Sequence, residues 1–197
     1  MKRCLFALVL VGCAADTPPA DAKNPVVVMK TSKGTIKIEL FEDKAPITVK
    51  NFLQYVDDKH YDGTIFHRVI SDFMIQGGGF EKGFGKAPTV QEATGKEKKT
   101  RKPIKYESDN GLSNKRGTLA MARTNAPDSA TDQFFINLKA NSALDYGING
   151  AGYAVFGRVV EGMDVVDKIV AVRTTRKAPH DDVPVTPVVI KTARLAQ

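Results

Sequence analysis

The chain of 197 residues contains no tryptophan and only two cysteines, Cys4 and Cys13. Because both lie near the start, the sequence from residue 14 onward cannot form a disulfide, a cysteine-ligated metal site or a catalytic thiol. The three histidines, His60, His67 and His180, are far apart and lack the spacing of paired metal ligands. The sequence therefore predicts no metal site.

The apolar run at residues 4–11 is too short to cross a bilayer as a helix, which needs about 20 residues. It lies between the basic pair Lys2-Arg3 and the pair Gly12-Cys13, an arrangement typical of a secretory signal. Residues 10–13, LVGC, also resemble the lipobox of bacterial lipoproteins, in which the cysteine is lipidated and becomes the mature N-terminus. The alternative is an ordinary cleaved signal in which Cys13 has no role.

These patterns divide the chain into three parts. We predict a signal peptide over residues 1–12, a lipidated and disordered tether over residues 13–25, and one folded domain over residues 26–197. The tether contains three prolines. The expected location is the bacterial cell envelope. Ala14 after the cysteine favours the outer membrane, facing the periplasm, in a Gram-negative cell.

The folded part is rich in short strand-like runs and contains few helix-like ones. Residues 34–40 alternate cleanly, with Ile36, Ile38 and Leu40 on one face, which predicts a half-buried strand. A helix can begin at Pro46, because apolar residues recur at helical spacing from Val49 to Val56. A second helix fits residues 163–170. Further strands are predicted at residues 26–29, 64–70, 73–76, 118–122, 134–138, 154–160 and 187–192. With no strand–helix–strand alternation, this order favours an antiparallel barrel or sandwich.

Two segments suggest other chemistry. The glycines at 77–79, with Gly83 and Gly85-Lys86, look like a phosphate loop, but the spacing fails because residue 80 is Phe and residue 87 is Ala. We assign Gly77, Gly78 and Gly79 to tight turns after a strand and expect no cofactor. Residues 82–105 are rich in lysine and predict a long exposed loop, with a polyanion-binding surface as the alternative.

Three separated segments, residues 66–78, 119–123 and 132–136, bring together unusual side chains. Arg68 lies in a strongly apolar strand, where alternation places it on the same face as Phe66 and Ile70. The segments also offer two glutamine amides, methionine and several phenylalanines, with no carboxylate pair or nucleophile. This set suits non-covalent chemistry, in which an apolar group is held while an amide is hydrogen-bonded.

The same segments resemble the cyclophilin-type peptidyl-prolyl isomerases, from about residue 27 to residue 195. The blocks FHRVI, QGG, LAMAR, DQFFI (SQFFI in the family) and YAVFGRVVEGMDVVDKI occur in the family's order. The sequence looks most like the bacterial periplasmic branch. The resemblance implies a mainly β fold, a closed eight-stranded antiparallel barrel capped by two α-helices.

The resemblance also implies site residues. Arg68 matches the catalytic arginine, and Gln76 matches the amide that orients the arginine and the substrate. Phe73, Met74, Phe135 and Leu144 match the pocket for the proline ring, and Ala122 and Gln133 match residues of the adjacent groove. Three positions depart from the family: Ala143 replaces a tryptophan that contacts cyclosporin in sensitive members, Tyr153 replaces a histidine, and Arg123 replaces an asparagine that contacts the peptide.

The implied function is peptidyl-prolyl cis-trans isomerisation in the folding of exported proteins. The alternative is a proline-peptide binding module or chaperone holdase on the same barrel, and a weaker one is polyanion binding through the basic loop. The expected partners are flexible proline-containing polypeptides and, through a lipid at Cys13, a membrane. We expect no nucleic acid partner and a monomer.

Overall fold

The computed structural model describes residues 24–82, 97–177 and 180–196. The predicted signal peptide, Cys13 and nearly all of the predicted tether lie outside the described residues, as do residues 83–96 of the basic loop. Within the described part of the chain, no helix is both long and apolar enough to cross a membrane.

The described residues contain ten strands and two α-helices. The strands are β1 (Val26–Thr31), β2 (Gly34–Leu40), β3 (Thr64–Ile70), β4 (Met74–Glu81), β5 (Thr118–Met121), β6 (Phe134–Asn137), β7 (Val155–Glu161), β8 (Thr174–Lys177), β9 (His180–Pro184) and β10 (Val188–Leu195). The helices are α1 (Pro46–Asp57) and α2 (Met163–Val170). Eight antiparallel strands close into a barrel, in the order β1-β10-β3-β4-β6-β5-β7-β2. The predicted fold class is therefore confirmed.

The barrel core follows the alternation seen in the sequence. Ile36, Ile38 and Leu40 of β2 are fully buried, while the residues between them are partly exposed. The apolar stripe of α1 covers the barrel, and its Phe52 packs against Phe134 of β6 with ring centroids 5.6 Å apart. These contacts fix β6, which carries part of the site described below.

The glycines at 77–79 lie within β4, so their assignment to turns after a strand is wrong. A Cβ on Gly78 would lie 2.9 Å from the carbonyl oxygen of Asp132, and φ at Gly78 is +102°. A Cβ on Gly79 would lie 2.7 Å from the Gln133 side chain. Glycine here lets β4 approach the residues that precede β6, which is a packing requirement and not a turn.

The strands β8 and β9 form a two-stranded sheet outside the barrel, and this sheet is absent from the sequence prediction. Both strands are mostly polar, so neither shows the alternation on which the other strands were predicted. The contacts of β9 with β3 attach this sheet to the barrel.

An ion pair links the turn before β3 to β10, and it predicts a pH-dependent contribution to stability. Arg194 donates to Asp62 at 2.6 and 2.8 Å, and this hydrogen bonding holds the pKa of the Asp62 carboxyl below its usual range. A lowered pKa in the folded state stabilises the fold above the unfolded pKa, about 3.9, and this stabilisation is lost as the pH falls through the folded pKa.

Because both side chains are partly exposed, Asp62→Asn should lower the free energy of unfolding by only about 0.5–1 kcal/mol at pH 7. Urea unfolding at pH 7 and at pH 3 measures the effect. We expect the difference in the free energy of unfolding between wild type and variant to be smaller at pH 3 than at pH 7. A difference of the same size at both pH values would contradict the role given to the carboxylate.

Candidate active site

A β-bulge in β3 determines where Arg68 points. Phe66 pairs with Gly77 and Arg68 pairs with Gln76, so two steps along β3 match one step along β4, with His67 as the extra residue. Phe66 and Val69 therefore both join the barrel core, whereas Arg68 is exposed outside it. The expectation that Arg68 shares a face with Phe66 is wrong, because alternation cannot anticipate a bulge. Ile70 does pack outside the core, beside the site.

Nine predicted site residues line one pocket on the outside of the barrel, with a cavity of about 120 Å³. A protein cavity of roughly 150 Å³ accommodates benzene, so this space suits a single small ring. The pocket is lined by Arg68, Phe73, Met74, Gln76, Ala122, Arg123, Phe135, Leu144 and Tyr153.

Strand geometry supplies the apolar floor. Met74 and Gln76 lie two apart on β4 and share a face, while Ile75 between them enters the core. Phe135 of β6 is the direct partner of Gln76. Met74 and Phe135 are 2 % and 4 % exposed, so little of the floor contacts water.

Arg68 and Gln76 form the polar rim of the pocket on the β3–β4 side. Within the described residues the guanidinium of Arg68 makes no hydrogen bond and no ion pair, and it is exposed at the pocket mouth. The Gln76 amide donates instead to Gln133 Oε1 at 2.9 Å. Gln76 thus lies opposite Arg68 across the ladder, while its amide bonds Gln133 in this structure.

Arg123 and Tyr153 form the opposite wall. The Arg123 guanidinium lies 4.6 Å from the centre of the Tyr153 ring, a cation–π distance, and its Nε donates to the Gly152 carbonyl at 2.9 Å. The Tyr153 ring meets Phe135 edge to face at 5.7 Å. The guanidinium of Arg123 is therefore fixed by contacts within the protein, whereas that of Arg68 is available to bind a ligand.

Gln133 lies outside the pocket, in a second groove that shares Gln76, Ala122 and Arg123 with it. This groove continues past Thr131 to Glu97, where burial raises the pKa of the carboxyl. Sequence reasoning did not include Glu97 or Thr131, since neither belongs to the motif blocks. Ala143 does not line the pocket and is exposed.

No group of three or more histidine, cysteine or acidic residues able to hold a metal occurs among the described residues. The nine residues that line the pocket include no nucleophile beside a base and no pair of carboxylates. What the pocket can do is enclose an apolar ring, exclude water from one side of it, and donate a charged hydrogen bond at its edge.

Comparison with known proteins identifies the family to which the chain belongs. Residues 26–195 match the model of the family "Cyclophilin type peptidyl-prolyl cis-trans isomerase/CLD". A peptidyl-prolyl cis-trans isomerase of Acinetobacter baylyi is 56% identical over 167 residues, covering 85% of this chain and 83% of the relative. Peptidyl-prolyl cis-trans isomerase A of Dickeya dadantii is 48% identical, covering 98% and 97% of the two chains.

Among solved structures, a cyclophilin-type isomerase of Cryptosporidium parvum, crystallised in the presence of the dipeptide Ala-Pro, superposes with a TM-score of 0.71. It is 26% identical, and the match covers 87% of this chain and 99% of that one. The chain belongs to the cyclophilin-type peptidyl-prolyl cis-trans isomerases. Its activity is the cis-trans isomerisation of peptide bonds that precede proline.

Proposed function

We propose that the pocket above receives the substrate proline ring and that Arg68 is the catalytic residue. The observation that carries this proposal is a guanidinium with no partner among the described residues at the mouth of an apolar pocket of ring size. The Ala-Pro dipeptide present with the Cryptosporidium parvum relative supports a proline-containing ligand for this fold.

The chemistry needs no bond to form or break between heavy atoms. Rotation about the X-Pro bond destroys amide resonance, so unaided isomerisation takes tens to hundreds of seconds. In the twisted state the proline nitrogen becomes pyramidal and regains its lone pair. Arg68 then donates a hydrogen bond to that nitrogen. Since the planar amide offers no such acceptor, the bond stabilises the transition state and not the ground state.

The strength of this hydrogen bond can be compared with the reduction in the activation barrier that catalysis requires. A turnover of about 10–10³ per second requires a barrier lowered by about 4–7 kcal/mol. A charge-assisted hydrogen bond contributes about 1.5–3 kcal/mol. The remainder comes from the apolar pocket, which fixes the ring over Met74 and Phe135, and from removal of water from an amide whose resonance water strengthens.

We further propose that this isomerase is the bacterial periplasmic type, assists the folding of exported proteins and is held at a membrane by a lipid on Cys13. Support comes from the basic start, the apolar run at residues 4–11 and the LVGC quartet. Acyl chains contribute about 0.8 kcal/mol for each buried CH₂ group, so two or more chains give stable attachment.

Replacing the proposed lipidation site tests this location. In a Gram-negative host, the full chain should sediment with membranes and resist extraction by salt, because acyl chains and not charges hold it. Cys13→Ser should remove the protein from the membrane fraction, while Cys4→Ser leaves it there. A Cys13→Ser protein that still sediments with membranes, or a wild type found only in the soluble periplasmic fraction, would contradict the lipid anchor.

The alanine at position 143 predicts weak inhibition by cyclosporin. It replaces a tryptophan that contacts the inhibitor in sensitive family members, and its methyl group cannot provide an aromatic contact. We expect inhibition in the micromolar range or weaker in an isomerase assay, and tighter inhibition of Ala143→Trp. Nanomolar inhibition of the wild type would refute this prediction.

A further inference from the structure

Three residues of the pocket walls lie outside the barrel strands. Phe73 lies in the turn between β3 and β4, Leu144 ends a short 3₁₀ turn (Ser142–Leu144), and Tyr153 precedes β7. None of the three lies within a strand of the barrel ladder, yet their side chains must stay within a ring's width of one another to form the pocket. The barrel holds part of this wall, because Leu138 N directly after β6 donates to the Phe73 carbonyl, and further contacts join the remaining loops.

Three buried asparagines, Asn114, Asn137 and Asn141, connect these loops. Asn141 Nδ2 donates to the Phe73 carbonyl and to Asn137 Oδ1, both at 2.8 Å. Asn137 Nδ2 donates in turn to Asn114 Oδ1 at 3.1 Å. Asn114 Nδ2, with two hydrogens, lies within hydrogen-bond distance of three acceptors: Asp145 Oδ1 at 3.0 Å, the Leu144 carbonyl at 3.1 Å and the Tyr153 carbonyl at 3.4 Å. The side chains thus form one continuous path from the Phe73 carbonyl to the loop of Leu144, beside Tyr153.

Backbone bonds strengthen the same path. Asn141 N donates to the Asn114 carbonyl, and Leu144 N donates to the Asn141 carbonyl, each at 2.8 Å. Tyr153 N donates to the Leu144 carbonyl at 2.9 Å. The two loops that carry Leu144 and Tyr153 are therefore joined directly, and Asn114 is bonded to the first of them.

Burial makes this network rigid. Asn114, Asn137 and Asn141 are 1 %, 0 % and 6 % exposed, so water cannot replace their partners without opening the fold. Asn137, which links the other two, accepts through Oδ1 and donates through Nδ2 at the same time, which an ionised carboxylate cannot do. Asn137 also pairs across the ladder with Met74 on the pocket floor.

We propose that Asn114, Asn137 and Asn141 are positioning residues of the isomerase site, which hold the backbones of Phe73, Leu144 and Tyr153 at the spacing that grips the proline ring. They do not touch the pocket space, and they act through those three side chains. This proposal rests on the proposed function of the pocket, because the network can position a proline-binding wall only if proline binds there.

Asn141→Ala is the most direct test, since it cuts the path beside Phe73. Measured on a proline peptide, kcat/KM should fall about tenfold or more, because small displacements of site groups are costly. Most of this fall in kcat/KM should come from a higher KM, since the network shapes ring binding and leaves Arg68 in place. Thr31→Ala is the control: it also removes a buried side-chain hydrogen bond, to the Gly34 carbonyl, and none of its partners lines the pocket.

A double-mutant cycle with Phe73→Ala separates positioning from general destabilisation. If Asn141 acts through the wall, Asn141→Ala should add little to the loss in kcat/KM once Phe73 is truncated. Losses that multiply in full, or a loss in Asn141→Ala no greater than in Thr31→Ala, would overturn the proposal.

Should Asn141→Ala fail to fold, the cycle is run with Asn141→Ser, which keeps one donor. Arg68→Ala in the same assay tells the two proposals apart: unchanged activity there refutes the site itself, whereas a loss there with none in Asn141→Ala refutes only the network.

Discussion

Arg68→Ala should lower kcat/KM for a proline peptide at least tenfold, while the free energy of unfolding changes by less than about 0.5 kcal/mol. The side chain is exposed and makes no hydrogen bond or ion pair with the described residues, so the fold loses almost nothing with it. The reaction loses a charge-assisted hydrogen bond of about 1.5–3 kcal/mol, which corresponds to roughly 10- to 160-fold in rate.

Two matched variants sharpen this result. Arg68→Lys keeps the charge but not the planar fork of donors, so it should recover only part of the activity. Arg173→Ala removes an exposed arginine that lies outside the pocket lining, so its kcat/KM should match wild type. Near-wild-type rates in Arg68→Ala would show that Arg68 is not the catalytic residue. A chaperone assay on the same variant tests the holdase alternative, which predicts that protection from aggregation survives.

Gly78→Ala should cause the largest loss of stability of any change considered for this chain. The new Cβ would lie 2.9 Å from the Asp132 carbonyl oxygen and 3.0 Å from the Tyr61 ring, at a φ of +102°. Backbone strain and overpacking together should lower the free energy of unfolding by about 2–5 kcal/mol, as measured by urea unfolding.

Gly63→Ala is the control for Gly78→Ala. Gly63 has a φ of +80°, but apart from its own backbone and its two chain neighbours no atom of the described residues lies within 4 Å of the place that a Cβ would take, so alanine there adds strain without a clash. Its expected cost is about 1–2 kcal/mol. Equal losses of unfolding free energy in the two variants would mean that the clash with Asp132 adds nothing to the destabilisation of Gly78→Ala.

Alternation and the order of elements in the sequence predict an antiparallel barrel or sandwich, and the family resemblance adds that the barrel is closed and eight-stranded. Ile36, Ile38 and Leu40 show the pattern, and the same three side chains are buried. The motif blocks also identify side chains that the structure gathers into one pocket, from Arg68 on β3 to Tyr153 before β7. Those blocks are distant in sequence, so only their resemblance to a known family could place them together in advance.

Other features depend on geometry that a linear pattern does not carry. The bulge at His67 turns Arg68 away from Phe66, because it shifts the register of β3 against β4 by one residue. The run of glycines resembles a loop in the sequence but forms part of a strand. Glycine is required at 78 because the carbonyl of Asp132, 54 positions away along the chain, leaves no room for a Cβ. The asparagine network joins residues whose only shared property in the sequence is their type.

Exchange NMR on a proline peptide bound to the enzyme tests the catalytic role of Arg68 most directly, because it separates binding from isomerisation. With wild-type protein, exchange peaks between the cis and trans forms of the peptide should appear on a millisecond to sub-second timescale. With Arg68→Ala, the peptide should still shift the resonances of Met74 and Phe135, with exchange slowed at least tenfold. Exchange in Arg68→Ala as fast as in wild type would contradict the proposed mechanism.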